Sequence, residues 1–359
     1  VEVDDYVNVP FTKGIFKFKG GLTHGWLEKD RFVESPYIHF KHLSVVWDMD
    51  RSLGFKFSGS FFHLAQWGGT TQQGFQLPNE FTDFIDVFLG RGSFIDDSFL
   101  SGESNGLGNH TGMTEYTLEL NPNENYTIRI NGQKPFEDKG SIPYTPVKDL
   151  LVGVQLVLHQ SWLREIYLEH LQTLWQSGPG LPDRVGPYQT NEDNFGYSYG
   201  GRDDFFNNFV YQSGLTHRGR AMSNPLYWTY DWSQNFMDPF PEYQNTIINN
   251  RIEAYHLGFL LVPNDKLSLK TMMTYSINYG TYAGLYEGRF AWEGIKTDPN
   301  FEYVFLGGKS QFYSLVDACY ATKMGKLPMN LKALMAFDTG ELYTNFGLEL
   351  GVEFVLKSY

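Results

Sequence analysis

The densest cluster of side chains able to do chemistry runs from Gly200 to Arg220. It contains Arg202, Asp203, Asp204, Asn207, Asn208, Arg218 and Arg220, interleaved with Phe205, Phe206, Phe209 and Tyr211. Carboxylates beside guanidinium and carboxamide groups can hydrogen-bond the hydroxyls of a sugar, and neighbouring rings can stack on a pyranose face. The same polar residues can equally satisfy one another as a ladder of paired charges along a polar wall.

Hydrolysis fits this cluster poorly. Asp203 and Asp204 are adjacent, so on a strand they point to opposite faces and cannot act together as acid and nucleophile. A second carboxylate would have to come from Glu165, Glu169 or elsewhere, and nothing in the sequence selects one. His39 and His42 lie three apart within a predicted strand, face opposite ways and do not make a metal pair. The sequence has no Gly-x-Ser-x-Gly elbow, no phosphate loop and no cysteine pair,. The spaced glycines between Gly106 and Gly112 do not lead from a strand into an apolar helix. No catalytic spacing stands out, no metal set and no cofactor motif is visible, and ligand contact and a structural ladder both stay open for the cluster.

The elements that must carry such residues show in the composition. Aromatics make up 17% of the 359 residues, charged residues only 19%, and there are 37 glycines. Transmembrane β-barrels collect this mixture: apolar and aromatic side chains outside, Tyr and Trp at both rims, a polar lumen within. A mean hydropathy of −0.35 is therefore compatible with a membrane. The net charge of −13 argues against nucleic acid, which needs clustered Lys and Arg,. Cys319 is the single cysteine, so no intramolecular disulfide staples the fold,. No run of 18 or more apolar residues provides a spanning helix,.

Strands that cross a bilayer need roughly 9 to 11 residues of alternating character. The clearest is Leu267 to Tyr279, where Leu267, Leu269, Met273, Tyr275 and Ile277 oppose Ser268, Lys270, Thr274, Ser276 and Asn278. In Ser52 to Phe61, Leu53, Phe55, Phe57 and Phe61 oppose Lys56, Ser58 and Ser60. Tyr116 to Leu120 and Tyr126 to Ile130 flank the polar turn Asn121 to Asn125 as a hairpin. Further candidates are Ile15 to Leu22, His39 to Trp47, Leu150 to Leu158, Trp162 to Gln172, Asn208 to His217, Arg251 to Leu261, Gln311 to Tyr320, Asn330 to Phe337 and Tyr343 to Leu356. That makes about thirteen strands. Pro78 to Arg91 is different: Phe81, Phe84, Ile85 and Phe88 recur at helical spacing, so 78–91 is expected to be an amphipathic helix that plugs the lumen or caps one mouth. The long stretches Ile95 to Gly112, Gly178 to Gly201 and Leu226 to Asn249 are expected to be extracellular loops.

The runs Gly20 to Trp26, Ser35 to His39, Asn105 to His110, Arg202 to Asn208 with Arg218 to Arg220, and Asn224 to Leu226 resemble those of the Wzi-type capsule assembly proteins, in their Bacteroidetes form. The resemblance extends from about Lys17 to the end of the chain. It implies a Gram-negative outer-membrane antiparallel β-barrel of about eighteen strands with helical plug elements. It implies outer-membrane lipid and capsular or exopolysaccharide as partners, held lectin-like at the cell surface, with no enzymatic activity and no nucleic acid. On this reading 1–359 is a single barrel domain lacking an N-terminal portion, since a barrel short of several strands leaves an edge in lipid. His24 and Trp26 join the 202–220 residues as candidate ligand contacts. Two alternatives stay open: an accessory subunit in a complex with other outer-membrane proteins of secretion or transport, and a porin-like channel.

Overall fold

The computed structural model describes residues 1–50, 54–91, 107–136, 149–174, 176, 206–208, 210–236, 246–281, 304–305, 307–325 and 327–354. The chain runs through β1 (Glu2–Asn8), β2 (Phe16–Trp26), β3 (Val33–Glu34), β4 (Tyr37–Asp50), β5 (Phe55–Trp67), β6 (Thr70–Thr71), α1 (Phe81–Leu89), β7 (Asn109–Asn123), β8 (Tyr126–Phe136), β9 (Leu150–Leu158) and β10 (Leu163–Gln172). It continues through β11 (Thr216–His217), β12 (Arg220–Ala221), β13 (Trp228–Thr229), α2 (Tyr230–Ser233), β14 (Ile247–Asn249), β15 (Ile252–Asn264), β16 (Leu267–Asn278), β17 (Lys309–Met324), β18 (Leu327–Gly340) and β19 (Asn345–Phe354).

Among the described residues, thirteen strands form one antiparallel sheet in the order β1-β2-β4-β5-β7-β8-β9-β10-β15-β16-β17-β18-β19. Each long strand therefore pairs with the long strands next to it in the chain, a meander that needs only local connections. The connections at one end are short, such as 124–125, 159–162 and 265–266. The other end carries the long segments 27–36, 68–108, 137–149, 173–251 and 279–308.

Strand pairing carries one face of the pleat continuously around the sheet. Lys56 pairs with Glu119, Glu119 with Arg129, Arg129 with Gln155, and Gln155 with Tyr167. On this face side chains bond side chains: Glu119 accepts from Lys56 at 3.0 Å and from Arg129 at 2.8 Å, and Gln155 donates to Glu165 at 3.0 Å. The opposite face holds Leu43, Val45, Phe57, Ile130, Val154, Leu168, Met335, Leu348 and Leu350, all exposed. Period-two alternation thus gives the middle of most strands one polar and one apolar side.

The polar face is concave. Leu64 of β5 and Ile252 of β15 pack on one cluster with Phe206, Leu215, Tyr227 and Ile247. Five strand spacings of about 4.8 Å would hold β5 and β15 roughly 24 Å apart in a flat sheet, so the sheet curls around that cluster.

Several expected elements sit differently. Asn208 to His217 is not a strand of the large sheet; only Thr216–His217 is extended, and the rest is fixed by Asn208 Oδ1, which accepts from the N–H of Val210 and of Tyr211 at 3.0 Å each. A carboxamide that satisfies local N–H groups favours a turn over a ladder. In its place β1 contributes the additional strand. The large sheet has thirteen strands among the described residues where the family resemblance implies about eighteen,.

The expected helix at 78–91 forms over Phe81–Leu89, opened by a Glu80/Asp83 capping box and ended by left-handed Gly90. Contrary to the expected plug, it packs on the convex face, where Phe84 and Phe88 meet His39 and Val87 joins Ala65 and Trp67. Helical spacing predicts the apolar stripe but not which side of a sheet receives it.

Gly112 of β7 is required by close strand packing, since a Cβ there would collide with the Phe136 ring of β8 and the Phe62 carbonyl of β5. Gly112→Ala is expected to reduce the folded fraction read by heat-modifiable gel mobility. Gly347→Ala, whose Cβ would meet only Ala336 at 3.8 Å, is expected to leave it unchanged.

Candidate functional site

The concave side of the long-loop end is occupied by described parts of 173–251, and their anchor is Arg31 in the β2–β4 connection. The Arg31 guanidinium is nearly buried and donates to Glu28 Oε2 at 2.9 Å and to the carbonyls of Thr216 and Gly214 at 2.8 Å each. Truncating it would strand these acceptors, a loss of about 3 kcal/mol for a broken buried pair. Glu28 uses its other oxygen to accept from the Arg218 N–H and from His217 Nδ1, both at 2.7 Å. Burial pushes the Glu28 carboxyl up, but its own N–H, that of Arg218 and the Arg31 guanidinium outweigh this and hold it below its ordinary 4.5.

The hairpin β11–β12 turns through Arg218 and Gly219 with φ of 47° and 72°. Positive φ at both central residues is the two-residue turn that matches strand twist. The turn presents Arg220, whose guanidinium lies 3.4 Å over the Trp232 ring. Trp232 is oriented by α2, where Thr229 Oγ1 accepts from the Trp232 N–H at 3.2 Å and donates to the Gly219 carbonyl at 2.6 Å. A flat guanidinium on this half-buried indole contributes about 1 kcal/mol and fixes the direction of its N–H edge,.

Around this stack lies a cleft of about 920 Å³ lined by Asp30, Ser213, Thr216, Arg218, Arg220, Tyr230, Asp231, Trp232 and Asn235, with Glu28 and Arg31 at its floor. Its lining combines guanidinium, carboxylate, carboxamide and hydroxyl groups with aromatic rings. That mixture suits a polyhydroxylated ligand. Among the described residues no group of three His, Cys, Asp or Glu is placed to hold a metal ion.

The residues singled out from the sequence separate into three groups. Arg202, Asp203 and Asp204 lie outside the described residues. Arg218 and Arg220 line the cleft. Asn207 and Asn208 bond the backbone: Asn207 donates to the Ile247 carbonyl at 2.8 Å and accepts from the Ile247 N–H at 3.0 Å, imitating a strand partner.

His24 and Trp26 are not brought to the cleft. Their register sets them on the convex face, where His24 lies beside Tyr37, Trp67 and Phe84 and Trp26 beside Tyr37. Asp30, Asp231, Trp232 and Asn235 were not expected. The capping signal Thr229-Tyr230-Asp231-Trp232 was their one local mark, and nothing local joins it to Arg220.

No protein-family model matches the chain, and no curated protein matches its sequence. The fold has a solved counterpart in Wzi, an outer-membrane protein involved in group 1 capsule assembly in Escherichia coli and described as a carbohydrate-binding β-barrel. The TM-score is 0.52 at 10% identity, over 98% of this chain and 58% of that one. The likeness is one of fold, and this chain spans less than two thirds of that protein's length.

The lowered Glu28 carboxyl stabilises the hairpin fully above its unfolded value, and that contribution is lost as the pH falls through the lowered folded one. Hydrogen exchange at 216–221, corrected for intrinsic rate, is expected to quicken only below pH 4.5. In Glu28→Gln it is expected to be fast already at neutral pH.

Proposed function

We propose that this chain forms an outer-membrane β-barrel that holds capsular or related exopolysaccharide at the cell surface without turning it over. The observation that carries the binding site is the Arg220–Trp232 stack within the polar cleft at the long-loop end. The stack covers one face of Trp232 and holds the Arg220 N–H edge in a fixed direction, where it can donate to sugar hydroxyls beside the carboxylates of the cleft,.

The membrane half of the reading rests on the convex face. Exposed aromatics stand near both ends of the strands: Phe16, Trp47, Tyr320 and Phe354 toward the short turns, and Trp26, Tyr255, Tyr275 and Phe346 toward the long connections. Between them the face is mostly apolar, broken by polar residues where α1 packs, the pattern of a lipid belt flanked by two aromatic girdles,. Strands of 10 to 16 residues, as in β19 and β17, are long enough to cross,. Short turns belong on the periplasmic side and long connections outside, which turns the cleft to the medium.

A conducting pore is less well supported. Trp228, Ile248, Phe305 and Leu342 form a cluster on the concave side, joined by Tyr343, whose ring stacks on Phe236 at 4.2 Å. Apolar packing at that mouth obstructs water.

Binding of labelled capsular polysaccharide by the detergent-purified protein tests the proposal. Trp232→Ala is expected to weaken binding roughly tenfold, about 1.4 kcal/mol, and Arg220→Ala by a similar factor. Affinity unchanged in both variants, with normal folding, would remove the cleft from the site.

A further inference from the structure

We infer that α1 is a membrane-surface helix: it lies on the lipid side of the barrel, roofs over a polar patch of the outer wall and sets Phe81, Ile85 and Leu89 against acyl chains. The inference rests on the proposed outer-membrane setting and adds an element to its lipid-facing surface.

The wall beneath the helix breaks the apolar pattern. On the convex face near the long-loop end, neighbouring strands present His24, His39, Lys41, His63 and His110. Polar and ionisable groups facing hydrocarbon are costly, and Lys is among the worst. The helix covers His39 and Lys41, although both His39 ring nitrogens stay without a hydrogen-bond partner under it. Phe84 and Phe88 close over His39, with ring centroids at 5.4 and 5.6 Å, and His39 is 0% exposed. Lys41 donates to the Phe88 carbonyl in the last turn and lies 4.3 Å over the Phe88 ring. A cation at a helix C-terminus is favoured by the helix dipole. His63 bonds His110 at 2.9 Å, and His110 reaches the Leu107 carbonyl in the segment that follows the helix.

The side of α1 turned away from the sheet carries an apolar stripe, flanked by exposed Thr82 and by Asp86, which faces Arg91 at 3.9 Å. Phe81, Ile85 and Leu89 follow one another at i, i+4 and i+8, and they are 76%, 36% and 45% exposed. Such spacing makes one stripe along the helix. The stripe lies on the same side of the sheet as Trp26, Leu43, Val45 and Tyr116, which are exposed too. With α1 in place, the belt continues over a patch that its own strands leave polar. The occupant that this continuity selects is lipid, at the depth where an amphipathic helix settles between headgroups and acyl chains.

The test uses the full-length protein in outer-membrane vesicles. Nitroxide is attached at Ile85→Cys in a Cys319→Ser background, with Leu89→Cys as a second helix position. Leu350→Cys serves as a belt reference and Gln234→Cys as an aqueous one. Collision with oxygen, which concentrates in lipid, is compared with collision with a water-soluble nickel chelate. At Ile85 and Leu89 the oxygen-to-nickel ratio is expected to match that at Leu350 and to exceed that at Gln234 several-fold. Helix labels reached by nickel while the Leu350 label is not would overturn the inference and leave the barrel intact. Labels reached by neither reagent would also overturn it, because protein would then cover the helix. A Leu350 label reached by nickel would instead overturn the outer-membrane setting itself.

Discussion

The two-residue period of the pleat is the constraint from which the rest follows. A strand cannot choose its surroundings residue by residue; it offers alternate side chains to two sides, and the backbone ladder passes that assignment to its neighbour. Once Glu119 pairs with Lys56 and Arg129, the side occupied by Leu43, Phe57 and Ile130 is settled for strands on either hand. The polar side fills itself with charge-assisted bonds, and the apolar side carries, among the described residues, the helix α1 at one end. A slip of one residue would exchange the two sides completely.

Curvature then makes the two sides unequal. The concave one is small enough at the long-loop end to be bridged, and the segment after β10 bridges it with Leu215, Tyr227 and Ile247 against Leu64 and Ile252. This brace is also what the candidate site is built on. Arg31 fastens one wall of the mouth to the hairpin that carries Arg220, and Thr229 fixes the hairpin to the helix that carries Trp232. Support groups held by buried bonds position loop residues that would otherwise sample many orientations.

The convex side receives α1, and there the sheet's pattern and the helix are complementary exceptions. Strands that are elsewhere apolar outward carry histidines and a lysine where the helix lies, while the helix turns part of its own apolar surface away. Each departure from pattern is accounted for by the other. Read alone, a polar stretch on an outer wall and an exposed Phe81 would both look like defects.

The sequence by itself determined most of the strands and their sides, because alternation is local: β16 and β19 are legible from side-chain order alone, as is the helix within 78–91, while β1 is not. It also marked Arg218 and Arg220. It did not show that Asn207 and Asn208 bond the backbone, because a carboxamide that bonds the backbone looks the same in sequence as one that bonds a sugar. Only the tertiary structure decided that His24 and Trp26 face away from the cleft, that α1 lies outside the sheet, and that Trp232 meets Arg220. Those outcomes depend on which side a curved sheet closes around and on which distant loops meet there. Both are set by contacts between residues far apart in the chain, for which periodicity carries no signal.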